Sequence, residues 1–109
     1  MGTYIGLDVS QRVTSVCVIN DVGAKVWQGS VASNPDLLAK AIKQHGAELC
    51  KVGMETGPLA VWLVHALRER GVDVDCIHAQ HVHAALTVQL DKTDRNDAAG
   101  IAQLVRSGW

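Results

Sequence analysis

The chain has 109 residues, of which 48% are hydrophobic, and a formal net charge of −1. This length suits one domain with its own core, and because Phe is absent the core must be mainly aliphatic. The near-zero charge excludes a general attraction to nucleic acid, so any contact with DNA must come from local Lys and Arg side chains. No signal peptide or bilayer-spanning apolar run is present. We therefore expect a cytoplasmic protein without a membrane partner.

The first half of the chain predicts an antiparallel meander followed by a helix. Strands are expected at residues 3–9, 13–20 and about 24–31. The connections are a tight turn at Ser10-Gln11-Arg12 and a second turn at Asn20-Asp21-Val22-Gly23. The helix is predicted to begin after an Asn34 N-cap, with Pro35 at its first position, and to stop at Gly46. Its buried stripe is expected to be Leu37, Leu38, Ala41 and Ile42.

The second half alternates strand and helix. A fourth strand at 49–55 runs into Thr56-Gly57-Pro58, where a helix starts that ends at Gly71. The apolar face of that helix is expected to be Leu59, Trp62, Leu63, Ala66 and Leu67. A fifth strand follows at 72–77, and the last helices are expected at 79–88 and 93–107. This β-β-β-α-β-α-β-α order predicts an α/β protein of the ribonuclease H fold, with a mixed five-stranded sheet flanked by helices.

The cysteine and histidine patterns argue against a zinc site. The cysteines lie in apolar strand-like runs without a Cys-x-x-Cys, and we expect small buried hydrophobes at Cys17, Cys50 and Cys76. A His-x-x-His spacing occurs among His78, His81 and His83, but no Cys or further His completes a tetrahedral set nearby. A solvated helix start is the better interpretation of these histidines.

Four carboxylates are placed where the predicted fold could gather them. Asp8 shares a strand face with Tyr4 and Gly6. Glu55 ends the fourth strand, at the edge where open α/β sheets bind ligands, so it converges with Asp8 if strands one and four are neighbours. Asp94 and Asp97 are three residues apart and extend the last helix's apolar stripe of Ala98, Ile101 and Val105. Unpaired buried carboxylates are costly, and oxygen-rich sites suit Mg²⁺ or Mn²⁺, so we predict a metal site for phosphodiester chemistry.

Each of the four acids, taken alone, also has a structural explanation that involves no metal ion. Asp94 and Asp97 could be first-turn acids stabilised by the helix dipole, Asp8 a hydrogen-bonded strand residue, and Glu55 a helix-start carboxylate. Asp91 could replace Asp94 as a ligand, although its position before a Thr93 N-cap favours a loop or capping role.

Two cations flank the acids of the last helix. Lys92 and Arg95 are candidates to contact DNA phosphates, and simple charge balance beside the aspartates is an equal alternative.

Three segments resemble the amino-terminal domain of the DEDD insertion-sequence transposases, which are relatives of the Piv DNA invertase. They are Tyr4-Ile5-Gly6-Leu7-Asp8-Val9-Ser10, Met54-Glu55-Thr56-Gly57 and Lys92-Thr93-Asp94-Arg95-Asn96-Asp97-Ala98. The resemblance covers nearly all of the chain, and the last block is quite specific. It implies a RuvC-like catalytic domain in which Asp8, Glu55, Asp94 and Asp97 are the catalytic tetrad and bind Mg²⁺, with Mn²⁺ as an alternative.

The resemblance also implies a DNA transposase or site-specific recombinase that cleaves and rejoins DNA. Some members of the family are guided by a structured bridge RNA. Members of the family act as oligomers. A second, carboxyl-terminal domain carries a nucleophilic serine. We therefore expect residues 1–109 to be the RuvC-like DEDD domain of a longer homo-oligomeric protein, and neither Ser10 nor Ser107 to be that serine.

Four other functions remain open from the sequence. A stand-alone Holliday-junction resolvase or nuclease would share the fold and the metal chemistry. An actin-like sugar kinase or ATPase would share the first strand but needs a glycine-rich turn where Val9-Ser10-Gln11-Arg12 stands. A DnaQ-type exonuclease needs Asp-x-Glu, and Ser10 occupies the position of that Glu. A non-catalytic dimerisation or RNA-binding module would make the acids vestigial.

Overall fold

The computed structural model describes residues 2–46, 49–55, 59–77 and 97–108. The strands are β1 Gly2–Val9, β2 Val13–Asn20, β3 Lys25–Ala32, β4 Leu49–Glu55 and β5 Val74–Ile77. The helices are α1 Pro35–His45, α2 Ala60–Glu69 and α3 Asp97–Ser107. The element order confirms the prediction for these ranges. The helix expected at 79–88 and residues 93–96 of the last helix lie outside the described residues.

The strands form one five-stranded sheet in the order β3-β2-β1-β4-β5. The β1–β2 and β2–β3 pairs are antiparallel, whereas β1–β4 and β4–β5 are parallel. Gly6 is therefore a central residue, paired with Cys17 of β2 on one side and with Gly53 of β4 on the other. Because β1 and β4 run in the same direction, both end at one edge of the sheet, which we call the carboxyl edge.

One face of the sheet carries the larger core, which α1 and α2 cover. Ile5, Leu7, Val52 and Met54 of the central strands are at most 3% exposed and belong to this core. Further members are Leu38 and Ile42 of α1 and Leu63, Val64 and Leu67 of α2. The predicted alternation along β1 is thus confirmed, with Ile5 and Leu7 on this face.

Two apolar positions expected in the helix stripes are exposed. Leu37 is 47% exposed because it lies at the margin of the α1 stripe, where Ala39 is buried instead. Trp62 is 51% exposed because it lies on the opposite side of α2 from the buried stripe. The buried set of α2 is then Ala60, Leu63, Val64 and Leu67, at i, i+3, i+4 and i+7, and Trp62 falls outside it.

The ends of α1 match the prediction. Asn34 Oδ1 accepts hydrogen bonds from the backbone N–H groups of Asp36, at 2.8 Å, and Leu37, at 3.3 Å. Gly46 N–H donates to the carbonyl of Ile42 at the other end. The Asn34 cap therefore satisfies two of the N–H groups that every helix start leaves unpaired.

The opposite face of the sheet is covered by α3 alone among the described helices. Ala98 and Ala102 pack with Cys17 and Ile19 of β2, and Ile101 and Val105 pack with Ile77 of β5. Near its end, Gln103 Nε2 donates to the carbonyl of Gly23, in the turn at the far end of β2. The helix therefore runs antiparallel to β1, and its amino-terminal end lies at the carboxyl edge. The other two helices also begin at this edge, since α1 follows β3 and α2 follows β4.

Candidate functional site

Asp8 and Glu55 lie side by side at the carboxyl edge. The last paired position of β1 and β4 is Leu7 with Met54, and each acid is the next residue of its strand. Both are half-buried and share the face on which α3 packs, because Gly6 and Gly53 are two residues earlier in each strand. Neighbouring strands are about 4.8 Å apart, so the two carboxylates start from adjacent backbone positions.

The first turn of α3 reaches the same place. A Cβ atom added to Gly6 would overlap the carbonyl oxygen of Ala98 and lie 2.5 Å from the backbone nitrogen of Ala102. The backbone of α3 therefore rests directly on β1, and Asp97, the residue before Ala98, is described only by its position as the first residue of the helix. Ala98, Ile101 and Val105 face the sheet as expected, each at most 2% exposed.

Several predicted residues fall outside what the structure describes. They are Asp91, Lys92, Asp94, Arg95, His78, His81 and His83. Their roles as ligands, phosphate contacts or solvated histidines remain predictions. Of the tetrad expected from the sequence, the structure thus places Asp8, Glu55 and the helix position of Asp97.

Ser15 is a neighbour of the site that the sequence analysis missed. It is the register partner of Asp8 in β2, so the two side chains lie on the same face, and it is half-buried. Ser30 of β3 is in turn the partner of Ser15. The signal was available in the sequence, because the short hairpin connection at Ser10-Gln11-Arg12 fixes this register.

The turn between β1 and β2 closes one side of the carboxyl edge. Ser10 N–H donates to the carbonyl of Val13 at 3.1 Å. The turn is tied to the end of β3, because Ser33 N–H donates to the Arg12 carbonyl at 2.9 Å and Ser33 Oγ donates to the Ser10 carbonyl at 2.6 Å. This part of the site rim is thus held by hydrogen bonds from a second strand.

The donor set fits a hard divalent cation. Carboxylate oxygens are the ligands that Mg²⁺ and Mn²⁺ prefer, and Mg²⁺ is commonly bound through one or two carboxylates. Asp8 and Glu55 supply such a pair on adjacent strands. No group of three or more His, Cys, Asp or Glu side chains comes together within the described ranges, so a larger ligand set would need Asp94 or Asp97.

The two cysteines whose side chains are described differ. Cys17 is fully buried under α3, as expected, and this burial raises the pKa of its thiol against the opposing effect of Lys25. Cys76 was expected to be buried but is exposed, because β5 is an edge strand whose middle residues face solvent. Partial burial of its sulfur still raises the pKa of Cys76, with Asp75 adding to the rise and Arg68 opposing it.

Thiol alkylation should distinguish these cysteines. We expect iodoacetamide to modify Cys76 well before Cys17, since only Cys76 is accessible. Because the pKa of Cys76 is raised, its modification should be slow at neutral pH and accelerate as rising pH forms the thiolate. Peptide mass spectrometry over a pH series measures both rates. Equal modification of Cys17 and Cys76 in the folded protein would contradict the burial of Cys17.

None of the helices in the described ranges is long and apolar enough to cross a membrane.

Comparison with solved structures relates this fold to nucleic-acid enzymes and to kinases. The chain is similar to T. thermophilus RuvC, solved in complex with a Holliday junction substrate, at 16% identity and a TM-score of 0.67; the match covers 97% of this chain and 96% of RuvC. It is also similar to a ROK hexokinase from Thermus thermophilus, at 18% identity and a TM-score of 0.53, over 77% of this chain and 37% of the hexokinase. The ethanolamine utilization protein EutJ from Carboxydothermus hydrogenoformans gives 14% identity and a TM-score of 0.53, over 82% and 41% of the two chains.

At such identities these likenesses show the fold alone, and they confirm the predicted ribonuclease H-like, RuvC-like architecture. A comparison with curated proteins finds no match. The model of the DEDD transposase family of IS110 type, described as Transposase, matches residues 5–108. This match spans nearly the whole chain and includes all four acids of the expected tetrad. The chain therefore belongs to the DEDD transposase family of IS110 type.

Proposed function

We propose that this chain is the metal-dependent catalytic domain of a DNA transposase, with Asp8, Glu55, Asp94 and Asp97 holding Mg²⁺. Membership of the transposase family supports the reaction class. The observation that carries the assignment is the placement of Asp8 and Glu55 at the ends of adjacent parallel strands, with the first turn of α3 resting on Gly6, two residues before Asp8. Family resemblance and geometry thus indicate the same edge of the sheet.

The residues of the chain would act mainly by positioning charge. A bound Mg²⁺ would polarise the scissile phosphate and stabilise charge on the attacking and leaving oxygens. Asp8 and Glu55 would supply carboxylate oxygens from adjacent strands of the sheet, and Asp97 would add a third carboxylate from the start of α3. Ser15 presents a hydroxyl beside Asp8, a suitable neighbour for orienting a carboxylate. Lys92 and Arg95 would contact phosphates next to the reacting one.

Further parts of the proposal follow from the family resemblance. Cleavage and rejoining of DNA would need a nucleophilic serine from a domain beyond residues 1–109. The complete protein would act as a homo-oligomer, and a bridge RNA would select the DNA target in the manner of some relatives.

A stand-alone RuvC-type nuclease is the second candidate. It is favoured by the match to RuvC, which extends over 96% of the RuvC chain and so leaves little of that protein unmatched. RuvC was solved with a Holliday junction, so a four-way DNA junction is the substrate to try. Metal-dependent junction cleavage by the 109-residue chain alone would favour this candidate over the transposase.

The proposed function is tested most directly at Asp97. In the full-length transposase with Mg²⁺, Asp97→Asn should reduce recombination by roughly 10²–10⁴-fold, because metal ions contribute several kcal/mol of transition-state stabilisation. A gel assay of excised and rejoined DNA measures this, and circular dichroism checks the fold. Recombination at the wild-type rate would overturn the assignment. A wild-type domain that binds no Mn²⁺ would instead favour the non-catalytic module.

A further inference from the structure

The β1–β2 turn places one cation at the rim of the acidic site. Gln11 and Arg12 are the central residues of a hairpin closed by the Ser10 N–H to Val13 carbonyl hydrogen bond. Asp8 lies two residues before Ser10 in β1. At about 3.3 Å per residue along a strand, the turn lies roughly 7–10 Å beyond Asp8, a distance that an extended Arg side chain can largely span.

The backbone that carries Arg12 is held in place. Its carbonyl accepts the Ser33 N–H, and Ser33 Oγ donates to the carbonyl of Ser10. The same Ser33 hydroxyl lies 2.8 Å from the hydroxyl of Thr14, which is fully buried. A turn fixed in this way loses little backbone entropy when a ligand binds, so a contact made by Arg12 would be preorganised.

Most other cations of the described ranges are engaged, and they lie elsewhere. Arg70 is paired with Asp36 at 2.6 Å and Arg68 lies 3.6 Å from Asp73, both at the far end of α2. Lys43 donates to the Arg70 carbonyl, and Arg106 donates to Gln103 at the end of α3. Arg12 is exposed, and its guanidinium has no hydrogen-bond or ion-pair partner among the described residues.

We propose that Arg12 binds a backbone phosphate of the DNA strand that enters the Asp8–Glu55 site. An exposed guanidinium on the turn that follows Asp8 is within reach of a polyanion that approaches Asp8 and Glu55. Its planar fork suits two hydrogen bonds to phosphate oxygens. The contact is independent of base sequence, so it fixes the strand's position at the site without reading the target. This inference rests on the proposed function, because it requires DNA at the carboxyl edge.

The test is the salt dependence of DNA binding by the 109-residue chain. Binding of a short fluorescein-labelled duplex in Mg²⁺ is followed by anisotropy over a series of salt concentrations. Arg12→Gln should weaken binding roughly three- to tenfold at low salt and reduce the slope of log affinity against log salt by about one, the signature of one lost phosphate contact. Arg12→Lys, which keeps the charge, should retain most of the slope.

Lys40→Gln is the matched control, because Lys40 is an exposed cation on α1, across the sheet from the acidic site. It should bind DNA as the wild type does. Wild-type binding with an unchanged slope in Arg12→Gln would overturn the role of Arg12 and leave the proposed function intact. An equal loss of DNA affinity in Lys40→Gln would also overturn the role of Arg12, since the loss would then reflect the net charge of the chain rather than a contact at the turn. A wild-type chain that does not bind DNA would overturn the proposed function itself.

Discussion

Asp8→Asn should lower the affinity of the domain for Mn²⁺ by about 100-fold or more, since even substitutions of residues that only support metal ligands cost 10- to 100-fold. Asparagine keeps the shape of the side chain and removes the charge that faces Glu55 from the neighbouring strand. Without metal, the protein should still fold and unfold cooperatively, because the exchange leaves the size of the side chain unchanged. Calorimetric titration with Mn²⁺ and thermal melts with and without the ion measure both effects.

Asp73→Asn provides the control for this substitution. The side chain of Asp73 is 92% exposed, at the far end of α2, and its ion pair with Arg68 is long. We expect unchanged Mn²⁺ affinity in this variant. In wild type and Asp73→Asn alike, Mn²⁺ at 100 times its dissociation constant should stabilise the fold by about 2.7 kcal/mol, whereas Asp8→Asn should show little of this gain. A similar Mn²⁺ response in all three proteins would refute Asp8 as a ligand.

Gly6→Ala should displace α3 from the sheet. The added methyl would overlap backbone atoms of Ala98 and Ala102, which cannot move by rotating a side chain. We expect a loss of stability at or above the 1–3 kcal/mol typical of overpacked cores. The first turn of α3 should lift away from Asp8 and Glu55, so Mn²⁺ affinity should also fall. Denaturant unfolding measures the first effect and calorimetry the second.

Gly53→Ala is the control for Gly6→Ala. It separates the two effects expected there, which are displacement of α3 near the site and loss of stability. A methyl there would meet the side-chain ends of Val105, at 2.5 Å, and Ile77, at 3.0 Å, under the second half of α3. This variant should lose stability but keep more of its Mn²⁺ affinity than Gly6→Ala. The alkylation rate of Cys17 reports independently on the position of α3, because Cys17 is the strand partner of Gly6 and lies buried under α3. If Gly6→Ala leaves both the Cys17 alkylation rate and the Mn²⁺ affinity unchanged, α3 does not depend on Gly6 for its position.

The parts of the fold that sequence predicted well are those that depend on local chemistry. The Asn34 cap, Pro35 and Gly46 act within one turn of backbone, so their sequence pattern determines both ends of α1. Strict alternation along β1 likewise assigned Tyr4, Gly6 and Asp8 to one face. The adjacency of β1 and β4 was inferred only through the fold as a whole, because non-local pairing leaves no local signal.

The errors arose where a residue's environment depends on distant segments. Trp62 was assigned to the core because it is large and apolar, but α2 packs on the sheet with the neighbouring stripe of Ala60, Leu63, Val64 and Leu67, which leaves Trp62 facing away. Cys76 is exposed because its strand became the edge of the sheet, which its own sequence does not encode. Ser15 was overlooked as a neighbour of Asp8 because hairpin register, rather than a motif, brings it there.

The common origin of all three described helices at one edge of the sheet has an electrostatic consequence for Asp8 and Glu55. The amino-terminal end of a helix carries a partial charge of about +0.5, and it is positive because its first N–H groups are unpaired. In α2 the N-cap residue is Leu59, whose side chain makes no capping hydrogen bond. Backbone dipoles alone thus offset part of the self-repulsion between Asp8 and Glu55. A carboxyl edge with three helix starts therefore suits acidic side chains such as Asp8 and Glu55 better than the opposite edge of the sheet would.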